Sequence, residues 1–345
     1  MNTDVASALL LKLINQFRYY FIDEAHRDTG KDVIDIKIND IKYFKTAGRF
    51  GEVFVVDVYY SSEFTEHKKK VAIKFIENSK DALLEIKNTM SLEKKFAARS
   101  VVRIPRFIYV NLEDNPFIAY EGITGINYED AFEVRNKSFW AGYVLAIIHG
   151  GQTRKVMVDI YEELHRRLVL KIFGGNEQES TVVEKSKIFL QMISSSIGGC
   201  DAFGDFHQSN LMLRITPDNQ VITIALIDPT FWMKGSYDRF EDMGTFFGRQ
   251  SILEYRETKR LVETAKDISK FLKGYNVHLK ELHAPTLEEI YPKGLPIDFY
   301  IALWAMMDYI EKTEHQNISK DHPDIIMLKE MTYYLLTEHP ILSRL

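Results

Sequence analysis

Cysteine is almost missing from this sequence, since Cys200 is the only one among 345 residues. A single cysteine excludes an intramolecular disulfide and a zinc site built from several cysteines, and it is typical of a reducing compartment. Long apolar runs are missing too, because no stretch reaches the roughly 18 apolar residues that a membrane-spanning helix needs. The apolar segment 5–21 is interrupted by Lys12 and Arg18 and has no basic leader or cleavage site, so we interpret it as an amphipathic helix. We therefore expect a cytoplasmic protein with no membrane partner.

A strong charge of either sign is also missing. The sequence has 44 Lys and Arg against 49 Asp and Glu, which gives a net charge of −5. Such a chain has no general attraction to nucleic acid, and we expect no nucleic-acid partner. Its length exceeds what one hydrophobic core normally serves, which predicts two domains. The sequence does not indicate an oligomeric state.

The residue pattern changes from strands to helices along the chain. β-Branched and aromatic residues predict an antiparallel meander of three strands over 33–77, with a polar loop at 61–70. A helix over 80–98 and two strands, 101–110 and 116–123, follow it.

Beyond Gly122 and Gly125 the pattern is mostly helical, with one hairpin near 210–228 and helix breaks near Gly274, Pro285 and Pro292. These patterns predict an α+β fold with three parts: a helical extension (1–32), a β-rich lobe (33–123) and a helical lobe (124–345).

The turn "GRFGEV" contains two glycines that permit a close backbone approach to phosphate oxygens. Gly48 and Gly51 match the last two glycines of G-x-G-x-x-G-x-V, and Val53 matches its valine, while Thr46 replaces the first glycine. Glycine is also common in ordinary hairpin turns, so a plain turn is the alternative interpretation.

The motif "VAIK" places Ala72 and Lys74 in the third predicted strand. A lysine in an apolar strand needs an anion, and here it could hold nucleotide phosphates and pair with a helix glutamate. Glu85 and Glu93 are both candidates for that partner, and Glu85 is preferred because apolar residues follow it at helical spacing. A lysine that only confers solubility is the alternative.

Two later segments add polar groups. In "AYEGITG" the backbone of Glu121 and Ile123 could bind an adenine edge, or the segment could be a plain linker. In "GDFHQSN" Asp205 and Asn210 have the spacing of H-R-D-x-x-x-x-N, and the predicted hairpin ends at Asp228. An aspartate can orient a hydroxyl proton, and carboxamide and carboxylate oxygens suit Mg²⁺. We interpret Asp205, Asn210 and Asp228 as one site.

These motifs together resemble the aminoglycoside phosphotransferase and choline kinase family, over roughly residues 40–250. The loop of this family reads H-G-D-x-H-x-x-N, so His207 matches its second His, whereas Phe203 replaces the first. Segment 145–151 ("LAIIHGG") resembles a helix end of the family, and Asp242 in "FEDMGTFFG" matches an acidic position that supports the loop. Pro229 stands where protein kinases have Phe, and no A-P-E motif follows.

The resemblance implies a two-lobed protein kinase-like fold and an ATP-dependent, Mg²⁺-dependent transfer of the γ-phosphoryl group to a hydroxyl of a small molecule. It implies that Lys74 holds phosphates, Asn210 and Asp228 hold Mg²⁺, and Asp205 positions the hydroxyl. His207 either reaches phosphate or supports the loop. An atypical protein kinase and a non-catalytic nucleotide-binding pseudokinase are the alternatives.

The phosphate acceptor is open. Acidic residues at 238–242 and 280–289, and the aromatic residues Phe231, Trp232 and Tyr237, would suit a cationic acceptor. Alternatively, these residues are a solvated face and core aromatics.

Overall fold

A computed structural model gives the fold. It describes residues 19, 22, 23, 26, 33–44, 53–62, 66–97, 99–113, 116–175, 177–228 and 233–345. Gly48, Gly51, most of the expected helix at 5–21, and the segment 229–232 lie outside these ranges. Across the described part of the chain, no helix has the length and apolar character required to cross a membrane.

Strands dominate the first part of the chain and helices the rest, as the sequence predicts. The strands are β1 (Val33–Phe44), β2 (Val53–Ser62), β3 (Glu66–Phe75), β4 (Val102–Arg103), β5 (Phe107–Asn111), β6 (Phe117–Glu121), β7 (Ile126–Asn127), β8 (Gly199–Ala202), β9 (Leu211–Ile215), β10 (Val221–Leu226) and β11 (Met233–Asp238). The α-helices are α1 (Ser79–Phe96), α2 (Lys137–His149), α3 (Val158–Phe173), α4 (Gln178–Ser194), α5 (Arg239–Thr258), α6 (Val262–Glu281), α7 (Leu287–Ile290), α8 (Ile297–Ile310) and α9 (Pro323–Glu338).

The main sheet has the strand order β1-β2-β3-β6-β5. Its first three strands form the predicted antiparallel meander. The predicted polar loop 61–70 is wrong for most of its length, because β3 already begins at Glu66. Pairing explains the difference: Lys68 lies opposite Tyr59 in the ladder, and its Nζ is 2.6 Å from the carboxylate of Asp57. Cross-strand contacts of this kind stabilise polar residues in a sheet.

The remaining strands form two smaller sheets. One has the order β4-β10-β9-β7 and contains the predicted hairpin, and the other pairs β11 with β8. The predicted single strand 101–110 divides at Pro105: β4 pairs with β10, whereas β5 pairs with β6. The strands β7, β8 and β11 were not predicted, because their two to six residues carry no clear alternating pattern.

The predicted helix break at Gly274 is also wrong, because this glycine lies within α6. A Cβ atom on Gly274 would lie 1.9 Å from the carbonyl oxygen of Phe139 in α2. A Cβ on Gly142 in α2 would lie 2.0 Å from the carbonyl oxygen of Phe271 in α6. The two glycines therefore let these helices pack with their backbones in close contact, and packing explains Gly274 better than helix termination does.

The chain divides into two compact units. The first unit contains the main sheet, α1, strand β9 and the end of the hairpin with Asp228, and the second contains the helices α2–α9. The ranges are Met1–Asn127, Leu211–Ile215 and Ile222–Thr230 for the first unit, and Tyr128–Asn210, Thr216–Val221 and Phe231–Leu345 for the second.

Candidate functional site

Lys74 is buried in the first unit, on the strand β3 between β2 and β6. Only 6% of its surface is exposed. Its Nζ lies 2.8 Å from an oxygen of Glu85 and 2.7 Å from an oxygen of Asp228. Two of the residues that the sequence singled out therefore contact Lys74 directly.

Helix α1 brings Glu85 to this lysine. The helix begins after Asn78, whose side chain accepts a hydrogen bond from the N–H of Asp81. Its buried residues recur at helical spacing and include Ala82, Glu85 and Leu92, so Glu85 lies on the face that packs against the sheet. Glu93, the other glutamate that the sequence left open, is only half-buried.

The second oxygen of Glu85 accepts a hydrogen bond from the hydroxyl of Tyr120 at 2.8 Å. Tyr120 lies on β6, opposite Ala72 of β3, and was not predicted as a site residue. A tyrosine in a β-strand is common, so the sequence contains no signal for this role except its place next to Glu121. Burial, together with the charge of Glu85, raises the pKa of the Tyr120 hydroxyl, which keeps it a donor.

The charge of Lys74 is stabilised by its neighbours. Burial lowers the pKa of its ammonium group, but the carboxylates of Asp228 and Glu85 more than offset this, so the pKa is raised above the usual value. Lys74 is therefore a permanent, buried cation at neutral pH.

Asp228 has a left-handed backbone, with a φ of 57°. Only a few per cent of residues other than glycine adopt this conformation, although aspartate does so more often than most. Such conformations cost of order 1–3 kcal/mol each and persist where the surrounding structure holds them, often at functional sites. Here the backbone directs the Asp228 carboxylate towards Lys74.

We expect Tyr120→Phe to loosen this arrangement, because Glu85 would lose a buried hydrogen bond worth about 1.5–3 kcal/mol. The amides of α1 should exchange hydrogen faster. Tyr143→Phe is the matched control, because the hydroxyl of Tyr143 donates to Glu281, which is exposed to solvent. If Tyr143→Phe speeds hydrogen exchange in α2 as much as Tyr120→Phe does in α1, the hydroxyl of Tyr120 does not specifically stabilise α1 through Glu85.

The segment with Glu121 and Ile123 begins at the last residue of β6. The N–H of Glu121 donates to the carbonyl of Arg106 at 2.8 Å, and the N–H of Gly122 donates to the carbonyl of Lys70 at 2.7 Å. The carboxylate of Glu121 accepts a hydrogen bond from Arg103. These contacts hold the backbone at Glu121 and Gly122.

Asp205, His207 and Asn210 lie close together in the second unit. The carboxamide nitrogen of Asn210 donates to both the backbone carbonyl and the carboxylate of Asp205, at 3.1 Å each. Nε2 of His207 is 3.4 Å from the same carboxylate, and Nδ1 is 2.7 Å from the hydroxyl of Ser209. Because the NH₂ group of Asn210 makes these bonds, its carbonyl oxygen is the atom that a metal ion would use.

Asp242 holds the loop in front of Asp205. Its carboxylate accepts hydrogen bonds from the N–H groups of Phe203 at 2.7 Å and Gly204 at 2.8 Å, and it contacts Nε2 of His149 at 2.9 Å. Gly204 has a φ of 82°, which favours glycine. The loop therefore has a fixed backbone that leads directly to Asp205.

Phe203, which replaces a histidine of the family pattern, is fully buried. Its ring packs edge to face on Phe206, and Phe206 stacks on Phe246 of α5. Aromatic packing thus supports the loop at this position in place of a hydrogen-bonding side chain.

Of the acidic residues at 238–242, Asp238 and Asp242 are buried and Glu241 is half-buried, and all three have partners inside the second unit. Asp238 accepts hydrogen bonds from the hydroxyl of Tyr291 and the N–H of Phe240, and Glu241 accepts one from the hydroxyl of Tyr161. Burial raises the pKa of Asp238 and that of Glu241 to about 7. The fold therefore disfavours the charged forms of these two carboxyl groups, and the hydrogen bonds offset only part of the cost of their burial.

A cavity of about 240 Å³ lies next to Asp205 in the second unit. Asp205 and His207 form part of its wall, and Arg249 of α5 and Trp304 of α8 form another part. This cavity was not predicted, because its wall comes from segments far apart in the sequence.

Oxygen atoms of the kind that magnesium prefers occur in both units. Asn210 of the second unit carries a carboxamide and Asp228 of the first unit carries a carboxylate, and both groups could serve as ligands of Mg²⁺. Within the described ranges, no group of three or more His, Cys, Asp or Glu residues could hold a metal ion.

The sequence matches no protein-family model and no curated protein. Solved structures do match it. The streptomycin–ATP–APH(2″)-IIa ternary complex is 14% identical, with a TM-score of 0.50 over 91% of this chain and 96% of that one. The choline kinase LicA from Streptococcus pneumoniae is 12% identical, with a TM-score of 0.50 over 92% of this chain and 98% of that one. The chain therefore has the protein kinase-like fold that aminoglycoside phosphotransferases and choline kinases share, with an antiparallel β-rich N-terminal region and a mostly helical C-terminal region.

Proposed function

We propose that the protein is a phosphotransferase that moves the γ-phosphoryl group of ATP to a hydroxyl of a small molecule, with Mg²⁺. The observation that supports this most strongly is the arrangement of Lys74, Glu85 and Asp228. Buried ion pairs add little net stability, because the cost of desolvation offsets their attraction. Stability alone therefore does not explain a buried lysine between two carboxylates, one of them on a left-handed backbone. The kinase-like fold adds support.

The nucleotide would be held by residues of the first unit. Lys74 would bind phosphate oxygens through its ammonium group, and Glu85 with Tyr120 would keep that group in place. We propose that the glycine turn with Gly48, Gly51 and Val53, and the backbone near Ala72, Glu121 and Ile123, contact the nucleotide as well.

The metal ion would be bound by Asp228 and by the carbonyl oxygen of Asn210. Mg²⁺ held there would supply positive charge next to the phosphates. Lys74 contacts Asp228 at 2.7 Å, so its ammonium group balances the charge of that carboxylate.

The acceptor hydroxyl would lie at Asp205. The oxygen of the acceptor hydroxyl would form a bond to the γ-phosphorus, and the bond from that phosphorus to the bridging oxygen of ADP would break. The hydroxyl proton would pass to the Asp205 carboxylate. Asn210 and His207 both contact Oδ2 of this carboxylate, at 3.1 Å and 3.4 Å, and would keep it oriented.

Calorimetric titration with a non-hydrolysable ATP analogue tests the nucleotide site. We expect binding that requires Mg²⁺, and we expect Asp228→Asn to weaken it by about tenfold or more, because the variant loses a charged metal ligand. Asp218→Asn is the control, since Asp218 is exposed in the turn of the same hairpin. If the wild type binds no nucleotide under any condition, the proposed function is wrong.

A further inference from the structure

The wall of the cavity next to Asp205 carries two carboxylates, those of Glu129 and Asp205, and one guanidinium, that of Arg249. Glu129 faces Arg249 at 3.1 Å, and the carboxylate of Asp205 has His207 and Asn210 beside it. A cation entering this cavity would approach the guanidinium group of Arg249 as well as the carboxylates. Arg249 thus offsets the charge of Glu129, and Asp205 is the group that the proposed function assigns to the acceptor hydroxyl. Among the residues that line the cavity, no further carboxylate is left for a cationic group of the ligand.

The other acidic residues that could attract a cation have partners elsewhere. Asp238 and Asp242 are 1% exposed, and both accept hydrogen bonds from backbone N–H groups. They do not line the cavity. The acidic segment 238–242 thus gives no support for a cationic acceptor.

The rest of the wall is aromatic or neutral and polar. The indole of Trp304 is held against α5, where a Cβ on Gly248 would lie 2.4 Å from the indole Cδ2. Gln208 and Thr245 also line the cavity and carry amide and hydroxyl groups. The amide of Gln208 is itself oriented by a hydrogen bond to Gln250 at 2.9 Å. Such a wall combines an apolar surface with hydrogen-bonding groups in fixed directions.

The volume limits the ligand. About 240 Å³ is below the roughly 300–1,000 Å³ typical of pockets for drug-sized molecules. A single small ring fits this space, whereas a molecule of several linked rings would extend outside it.

We infer that the acceptor is a neutral polyol of the size of one monosaccharide. This inference rests on the proposed function. One carbon–hydrogen face of the polyol would cover the indole of Trp304, and its hydroxyl groups would bond to the polar wall, Arg249 and Glu129 included. One remaining hydroxyl would meet the carboxylate of Asp205 and accept the phosphoryl group.

Saturation-transfer NMR on the protein tests this choice without requiring turnover. One ligand pool contains neutral hexoses, pentitols and cyclitols, and the other contains choline, ethanolamine and a single-ring amino sugar. We expect binding from the neutral pool, and ADP release from ATP in the presence of the ligand that binds.

Charge reversal in the cavity gives a sharper result. Arg249→Glu would create an acidic wall, so we expect the affinity for the neutral ligand to fall, and that for cations to rise, by about tenfold or more. Lys187→Glu is the matched control, because it changes the net charge equally on the exposed surface of α4. Trp304→Leu should weaken neutral binding without favouring cations.

Two results would overturn the inference: preferential binding of the cationic pool by the wild type, or no binding from the neutral pool. Titration of the same preparation with the ATP analogue and Mg²⁺ keeps the two proposals apart. Loss of nucleotide binding would contradict the phosphotransferase, whereas nucleotide binding together with cation preference would contradict only the neutral acceptor.

Discussion

Asp205→Asn is expected to lower kcat by ~10²–10⁴-fold, the usual contribution of a general base. The carboxamide is nearly the same size and can still accept the hydrogen bond from Asn210, so the loop should keep its structure. It cannot take the hydroxyl proton. The affinity for the ATP analogue should therefore remain close to that of the wild type, and so should the affinity for the acceptor.

The measurement is ADP release at saturating ATP, combined with calorimetric titration of Asp205→Asn and of a control variant. Asp321→Asn is the control, because Asp321 is an exposed aspartate far along the chain from the loop. A kcat for Asp205→Asn within about threefold of the wild type, too small for a lost general base, would exclude Asp205 as the base. A parallel loss of nucleotide affinity would indicate instead that the substitution disturbs the loop.

The α+β fold was predictable because its signals are local. Segments rich in β-branched residues predicted the meander, and apolar residues that recur at helical spacing predicted the helices. The errors came from contacts between distant segments. Residues 66–70 look like a polar loop until their pairing with β2 is known, and Gly274 looks like a helix break until α2 is seen to pack against it.

The candidate site shows the same limit. Asp205, Asn210 and Asp228 could be singled out because their order and spacing are fixed along the chain. The sequence distinguishes Glu85 from Glu93 less clearly, because both lie on one helix. The structure distinguishes them, since Glu85 is among the buried residues of that helix and Glu93 is not. Tyr120 and the cavity wall carry no local pattern at all, because their importance comes from what the fold places next to them.

Lys74→Met should separate the structural and chemical roles of the buried lysine. Removing one partner of a buried ion pair typically costs about 3–5 kcal/mol, because the remaining charge is left uncompensated. Here that charge is Glu85, which is 2% exposed, whereas the Asp228 side chain is partly open to solvent and should contribute less to the loss. We expect the first unit to lose stability and the protein to lose phosphoryl transfer.

The double variant Lys74→Met/Glu85→Gln distinguishes these losses. Glutamine is uncharged, and its carbonyl can still accept the hydrogen bond from Tyr120. Replacement of a whole buried pair by neutral groups is often close to neutral for stability. The double variant should therefore regain most of the lost stability and remain inactive, because no cation is left to hold phosphate.

Hydrogen exchange of the α1 and β3 amides reports the stability of this region directly. Lys87→Met is the control, because Lys87 is exposed on the same helix and a surface substitution usually changes stability by less than about 0.5 kcal/mol. If the double variant is as unstable as Lys74→Met, the pairing with Glu85 is not what stabilises the lysine. If Lys74→Met keeps its activity, the ammonium group holds no phosphate, and its contact with Asp228 is structural.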